Sequence, residues 1–112
     1  EFYFAYITAE SMDEARHIGQ TLIREQLVAC INIIEQMESM FMWEGEFQNE
    51  KEVVVIAKTR ADLVSDLIER VKAVHSYDCP CVVTLPVEGG NADFLNWIAG
   101  ETRQKSGSGS AT

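Results

Sequence analysis

The segment at residues 28–58 constrains this chain most, because its composition predicts one long β-hairpin. The outgoing arm covers residues 28–43, and the return arm at 52–58 is rich in β-branched residues that favour strands. Glycine and asparagine within residues 44–50 predict the turn between them. An arm of about fifteen residues is long against the ~5–6 of a typical strand. We therefore expect a bend or bulge at Glu35 and Gln36, where polar residues interrupt the apolar run.

Helix and strand patterns surround the hairpin in the order β-α-β-β-α-β, and one more helix follows. The other predicted elements are a strand at residues 2–8, helices at 12–27 and 61–75, a strand at 81–87 and a helix at 92–102. This order predicts an α+β, ferredoxin-like fold, with both long helices on one face of a four-stranded antiparallel sheet. Residues 1–104 are predicted to form one domain. The Gly/Ser-rich residues 105–112 are predicted to be a flexible tail or a remnant of the expression vector.

The second face of the predicted sheet is apolar, which is unusual for a monomer. In the first strand, Phe4 and Tyr6 alternate with Ala5 and Ile7, so both sides are hydrophobic. The last helix is too short to cover a whole sheet face. We therefore expect this face to be buried in part by self-association.

The end of the hairpin arm carries three large apolar residues, Phe41, Met42 and Trp43. An arm of this length overhangs a small domain and leaves an open strand edge that invites aggregation. Head-to-tail pairing of such arms forms a closed ring and removes that edge. We therefore predict a homo-oligomer with Phe41, Met42 and Trp43 in the interface.

The composition excludes several classes of partner. The 112 residues carry a formal net charge of −9, which repels a phosphate backbone and argues against nucleic acid. No apolar run reaches the ~20 residues that cross a bilayer, and the start of the chain lacks a signal-peptide pattern. Three cysteines, an odd number, favour a reducing compartment. We predict a cytoplasmic protein that contacts neither membrane nor nucleic acid.

One local cluster, His75-x-x-x-Cys79-x-Cys81, combines imidazole with two thiols. These are the soft ligands that suit copper or zinc, and two cysteines spaced by one residue share a strand face. The alternative is that both cysteines are small, packed, apolar side chains. Cys30 lies between apolar neighbours, so a packed thiol is favoured over the nucleophile of a thiol-dependent enzyme.

A second group of residues is assigned to a cleft between subunits. Its members are Cys30, Trp43, Glu44, Lys58 and Tyr77. The alternatives are that Trp43 is an interface anchor and that Lys58 is a solvated residue at a strand end.

Several short motifs together resemble one family. They are Val28-Ala29-Cys30-Ile31-Asn32-Ile33-Ile34, Met42-Trp43-Glu44-Gly45-Glu46, Lys58-Thr59-Arg60, His75-Ser76-Tyr77 and Leu85-Pro86-Val87. Their order and spacing resemble the CutA divalent-cation tolerance family over residues 2–103. The resemblance implies a ferredoxin-like homotrimer whose hairpins join neighbouring sheets edge to edge. It also implies a cytosolic role linked to copper and other divalent metals, with no enzymatic reaction. The architecture is also similar to the trimeric PII proteins, which implies an alternative: a sensor that binds a small molecule between subunits.

The chain departs from the family pattern at four positions. Where the family often has His-Pro-Tyr-x-x-Pro-Glu, this chain has Ser76 and Cys81 in place of the first proline and the glutamate. Copper ligands proposed for some members include a first-strand cysteine and a pair of adjacent histidines. Here those positions are Ile7 and Val74, with only His75 remaining. The copper site implied by the resemblance is therefore largely missing.

Overall fold

The computed structural model describes residues 1–104, so the predicted tail at 105–112 lies outside the described residues. Its elements are β1 (Phe2–Ala9), α1 (Met12–Arg24), β2 (Cys30–Trp43), β3 (Glu46–Arg60), a 3-10 turn (Ala61–Leu63), α2 (Val64–Val74), β4 (Val82–Val87) and α3 (Ala92–Glu101). The four strands form one antiparallel sheet in the order β2-β3-β1-β4. The predicted α+β, ferredoxin-like arrangement is confirmed. Within residues 1–104, no helix has the length and hydrophobicity needed to span a membrane.

The start of α1 follows from its capping residues. The hydroxyl of Ser11 accepts a hydrogen bond from the N–H of Glu14 (3.1 Å), and the carboxylate of Glu14 accepts one from the N–H of Glu10 (3.0 Å). This is the reciprocal arrangement that the capping-box pattern predicts. The helix ends at Arg24, three residues before its predicted end, because Gln26 adopts a left-handed φ of 57°.

The core lies between one face of the sheet and the two long helices. Its fully buried members include Ala5, Ile7, Ala15, Ile18, Leu22, Val55, Ala57, Leu63, Leu67 and Val71. Buried and half-buried residues alternate from Ala5 to Ile7 in β1 and from Val55 to Thr59 in β3, so the half-buried side chains there point away from the helices. The amphipathic stripes of α1 and α2 therefore account for one face of the sheet only.

The opposite face remains apolar and open, as predicted. Ile34, Val83 and Leu85 are 51%, 53% and 55% exposed in the single chain. The last helix reaches this side only in part, where the ring of Phe94 approaches Lys58. A large exposed apolar surface of this kind marks an interaction site.

The hairpin has longer paired strands and a shorter turn than its sequence predicts. Its pairing extends from Cys30 opposite Lys58 to Trp43 opposite Glu46, and only Glu44 and Gly45 form the turn. Both turn residues have positive φ, 50° and 84°, as tight hairpin turns require. The prediction of a seven-residue tip at 44–50 is therefore wrong. The polar residues from 46 onwards belong to β3, whose outer half is exposed to solvent.

The predicted irregularity in the outgoing arm is confirmed. The register shifts between Ile34 and Met37, and Gln36 has a φ of 67°. A bulge at this point bends the arm and increases its twist. The hairpin extends well beyond the other strands in length, and the molecule measures 48 × 30 × 24 Å.

Two other boundaries differ slightly from the prediction. The helix predicted at residues 61–75 begins as the 3-10 turn and ends at Val74. The last strand begins at Val82, after Pro80, which cannot donate to the sheet. His75 and Cys81 thus lie at the two ends of a connector, residues 75–81, rather than in a helix and a strand.

Replacement of Glu14 by glutamine is expected to lower the free energy of unfolding by about 1–2 kcal/mol at pH 7. Burial raises the pKa of the Glu14 carboxyl, but hydrogen bonds from Glu10 and Ser76, with His75 nearby, lower it on balance. A lowered folded-state pKa stabilises the fold above the unfolded pKa of ~4.3, and that stabilisation is lost as the pH falls through the folded value.

Denaturant unfolding at fixed protein concentration measures the effect. The difference between the wild type and Glu14→Gln should shrink as the pH falls below about 4. Glu69→Gln is the control, because Glu69 forms only an exposed contact with Lys72 at 3.6 Å. Equal losses of unfolding free energy from both variants would contradict the stabilising role of the hydrogen bonds that Glu14 accepts.

Candidate functional site

A groove of 660 Å³ is lined by the outer half of the hairpin, the end of β1 and the connector. It is lined by Thr8, Glu10, Phe41, Trp43, Gln48, Glu50, Lys51, Glu52, Tyr77, Asp78, Cys79 and Cys81. We call it the connector groove. Its lining combines three aromatic rings, two thiols and four carboxylates against one lysine. A groove with this lining attracts cations.

Tyr77 and Glu52 form the most firmly held polar contact of the groove. The Tyr77 hydroxyl donates a hydrogen bond of 2.8 Å to the carboxylate of Glu52, whose side chain is buried. Burial, followed by the hydrogen bond to Glu52 and the charge of that group, raises the pKa of Tyr77. The phenol therefore remains a neutral donor at physiological pH and keeps the Glu52 carboxylate paired.

The two thiols of the groove differ in environment. Cys79 and Cys81 both have exposed surface, but burial raises the pKa of the Cys81 thiol. A hydrogen bond with Thr8 opposes that effect, and the charge of Glu52 adds to it. Cys81 thus favours its protonated form, and a metal ion that binds it has to displace a proton.

His75 uses both ring nitrogens within the fold. Nε2 lies 2.6 Å from the carbonyl oxygen of Thr8, and Nδ1 lies 3.1 Å from the N–H of Tyr77. A carbonyl only accepts and an N–H only donates, so the ring is neutral with its proton on Nε2. The side chain is fully buried. To bind a metal ion, His75 has to give up one of these two hydrogen bonds.

The structure does not gather His75, Cys79 and Cys81 into a complete ligand set. Across residues 1–104 of one chain, no group of three or more His, Cys, Asp or Glu side chains is arranged to hold a metal ion. The two cysteines do share the connector groove, and the imidazole lies behind it in the interior. The assignment of these three residues as ligands remains a prediction.

Cys30 and Lys58 meet at another place, directly opposite each other on β2 and β3. The ammonium of Lys58 donates to the sulfur of Cys30 at 3.5 Å and to Oδ1 of Asn32. The rings of Phe4 and Phe94 lie 5.6 and 5.8 Å from the same nitrogen. Cys30 is half-buried and contacts a cation, so its surroundings are more polar than its sequence neighbours suggest.

The five residues assigned to a cleft fall in three places in one chain. Cys30 and Lys58 pair across two strands, Trp43 and Tyr77 line the connector groove, and Glu44 lies exposed in the hairpin turn. In the sheet register Lys58 lies opposite Phe4, whereas the groove residue Thr8 lies four positions further along β1. That offset is about 13 Å at the rise of a strand. One chain therefore does not bring these residues together.

Sequence reasoning missed several residues that hold the site together. The sequence places Glu52 only at the start of the return arm at 52–58, and it assigns Glu14 to no site. A carboxylate that directly precedes the apolar segment of β3 is the one signal that marks Glu52. The partners of both carboxylates, Tyr77 and Ser76, lie 25 and 62 residues away along the chain, which local patterns do not reveal.

Comparison with known proteins gives a consistent result. The family model described as CutA1 divalent ion tolerance protein matches residues 3–101. A relative from Archaeoglobus fulgidus, named divalent-cation tolerance protein CutA, is 42% identical over 95 residues, which are 85% of this chain and 92% of the relative. A relative from Oryza sativa, named protein CutA 1, chloroplastic, is 40% identical over 99 residues. That match covers 88% of this chain, and the chain spans 56% of the rice protein's length.

The fold agrees with the sequence comparison. The crystal structure of CutA1 from Oryza sativa aligns with a TM-score of 0.91 at 38% identity, over 93% of this chain and 95% of that one. The family model, at residues 3–101, extends over the sheet, the hairpin and the connector. The chain therefore belongs to the CutA1 divalent-ion tolerance family.

Proposed function

We propose that this protein is a cytoplasmic homotrimer that contributes to tolerance of copper and other divalent metals by binding the metal, without catalysing a reaction. The apolar outer half of the hairpin, exposed in the single chain, is the observation that carries the proposal. The names of the relatives refer to divalent-cation tolerance. A non-catalytic role is supported by the thiols: Cys81 favours its protonated form, and the only histidine near it is engaged elsewhere.

The trimer is supported by two features of the hairpin. Phe41, Met42 and Trp43 are 40%, 62% and 52% exposed, which is unusual for a row of consecutive large apolar residues. The strand order also places β2 at an edge of the sheet, so its outer half presents unpaired backbone groups. A neighbouring copy that pairs with this edge would bury the apolar residues and satisfy the unpaired backbone groups. In such a ring, residues that one chain keeps apart come close to residues of the next.

Metal binding is supported by the lining of the connector groove. The exposed thiols of Cys79 and Cys81 are soft ligands that suit copper(I) and zinc. The surrounding carboxylates, among them Glu50 and Asp78, raise the local concentration of cations. We assign Cys79 and Cys81 as ligands; His75, the third predicted ligand, would have to give up one of its two hydrogen bonds to join them. Further ligands then come from solvent or from another subunit.

A second candidate function is a PII-like sensor that binds a small molecule in clefts between subunits. It is supported by the volume of the connector groove, 660 Å³, and by its aromatic lining of Phe41, Trp43 and Tyr77. Calorimetric titration with copper(I), zinc and nucleotides separates the two candidates. Tight binding of a nucleotide with no tight binding of either metal would favour the sensor.

Replacement of Trp43 by alanine is expected to weaken assembly by about 2 kcal/mol per site, because a buried aromatic anchor is lost. This corresponds to a factor of about 30 in each dissociation constant. Sedimentation equilibrium at micromolar concentration should find a trimer for the wild type and dissociation for Trp43→Ala. Ile23→Ala is the control, because Ile23 is 40% exposed but lies on α1.

A folded wild-type monomer at that concentration would contradict the trimer. An unchanged assembly of the Trp43 variant would remove this residue from the interface.

The double substitution Cys79→Ser with Cys81→Ser is expected to abolish any tight binding of copper(I), whereas Cys30→Ser is expected to preserve it. The first two thiols share the acidic groove, whereas Cys30 is paired with Lys58, whose positive charge disfavours a cation. Competition titration against a copper(I) chelator measures the affinity. Equal loss from Cys30→Ser, or no loss from the double variant, would overturn the assignment.

A further inference from the structure

One wall of the connector groove is a single face of the outer hairpin. Phe41 and Trp43 lie two residues apart on β2, so their side chains share a face of that strand. In the hairpin register Phe41 lies opposite Gln48, and Gln48 is in phase with Glu50 and Glu52 along β3. All five residues line the groove. Two aromatic rings and two carboxylates therefore form one continuous wall.

The facing wall has the same mixed chemistry. The connector supplies a third ring, Tyr77, and a third carboxylate, Asp78, and Glu10 beside the end of β1 adds a fourth. Lys51 is the one cation among the lining residues. Four carboxylates against one ammonium favour an occupant with several positive charges. The phosphate groups of a nucleotide are repelled by the same potential.

These negative charges are spread along the groove rather than gathered at a point. Neighbouring positions on one face of a strand, such as Glu50 and Glu52, have backbones about 7 Å apart. Within residues 1–104 no three His, Cys, Asp or Glu side chains are arranged to hold a metal ion. A metal ion thus reaches only part of this charge, whereas two ammonium groups joined by four methylenes have a comparable spacing. The geometry favours an extended organic cation.

Glu52 offers such a cation an acceptor that is already held in place. The residue is only 9% exposed, and its Oε2 accepts a hydrogen bond of 2.8 Å from the hydroxyl of Tyr77. Its other oxygen, Oε1, has no donor among residues 1–104 and is not sealed from the groove. The faces of neighbouring aromatic rings attract ammonium groups, and the rings pack against methylenes. The groove thus combines a fixed acceptor with walls that suit an alkyl-ammonium chain.

We propose that the connector groove binds a linear polyamine: one ammonium group donates to Oε1 of Glu52, the methylenes lie against the three aromatic rings, and the other ammonium groups contact Glu50 and Asp78. The inference rests on the proposed function only in taking this groove as the ligand site. The amine contacts are with the carboxylates and rings, whereas the proposed metal is assigned to the thiols. Lysine side chains of another protein carry the same ammonium groups, but on separate side chains rather than along one chain.

Calorimetric titration of the metal-free wild type with spermidine tests the site. An ionic strength of about 0.15 M screens the long-range attraction of any cation to the acidic chain. Two control ligands separate the possible sources of binding: magnesium has charge without methylenes, and a capped trilysine peptide carries its ammonium groups on separate side chains. Spermidine should bind at one site per chain, at least about tenfold more tightly than either control.

Three glutamine variants locate the binding. Glu52→Gln should weaken spermidine binding by about tenfold or more, because it removes the charge of a buried acceptor. Glu50→Gln should weaken it about fivefold. Glu69→Gln makes the same change of charge on the exposed face of α2, outside the groove, and should keep the affinity within about twofold. If Glu52→Gln does not fold, Glu50→Gln decides the matter, because Glu50 is exposed.

Several results would overturn the polyamine site. They are the absence of spermidine binding, equal affinities for spermidine and either control ligand, and equal losses from Glu50→Gln and Glu69→Gln. Copper(I) titration of the same wild-type sample separates this inference from the proposed metal site. Spermidine binding without copper(I) binding would reject the metal site and support the polyamine site. Copper(I) binding without spermidine binding would do the reverse.

Discussion

Backbone pairing between β2 and β3 continues far beyond the sheet, from Cys30 opposite Lys58 to Trp43 opposite Glu46. The Cys30–Lys58 contact, the exposed apolar end of the hairpin and one wall of the connector groove all depend on this ladder. It sets Cys30 beside Lys58 at one end and carries the apolar residues at 41–43 to the other. Beyond the bulge between Ile34 and Met37, the outer half forms one wall of the connector groove. A two-stranded ribbon is marginally stable by itself, which favours the proposed pairing of its outer half with a neighbouring chain.

The other wall of the groove depends on polar contacts rather than on strand pairing. The connector contains no regular secondary structure, and its backbone is held by the carboxylate of Glu14 and the imidazole of His75. The phenol of Tyr77 fixes Glu52 on the facing strand. Hydrophobic packing is insensitive to pH, whereas each of these contacts involves a group that can gain or lose a proton.

Local patterns predicted the parts of the fold that local physics determines. The order of elements and the bulge near Gln36 both follow from periodicity or from the local loss of apolar residues. The prediction of the hairpin tip was wrong because the polar residues after Gly45 are typical of a loop. A strand that is exposed on both sides also accepts such residues. The roles of His75 and Glu52 could not be predicted from the sequence, because their partners are distant in the chain. Thr8 lies 67 residues from His75, and only the folded sheet brings the two together.

The central claim is that the outer half of the hairpin is paired with a neighbouring chain. Amide hydrogen exchange along β2 tests it directly, because in one chain alternate amides of an edge strand face solvent. The account predicts that the outward-facing amides of residues 37–43 exchange as slowly as the inward-facing ones at micromolar concentration. It also predicts that this protection is lost on dilution below the dissociation constant. Fast exchange of the outward-facing amides at all concentrations, with the core amides still protected, would contradict the account.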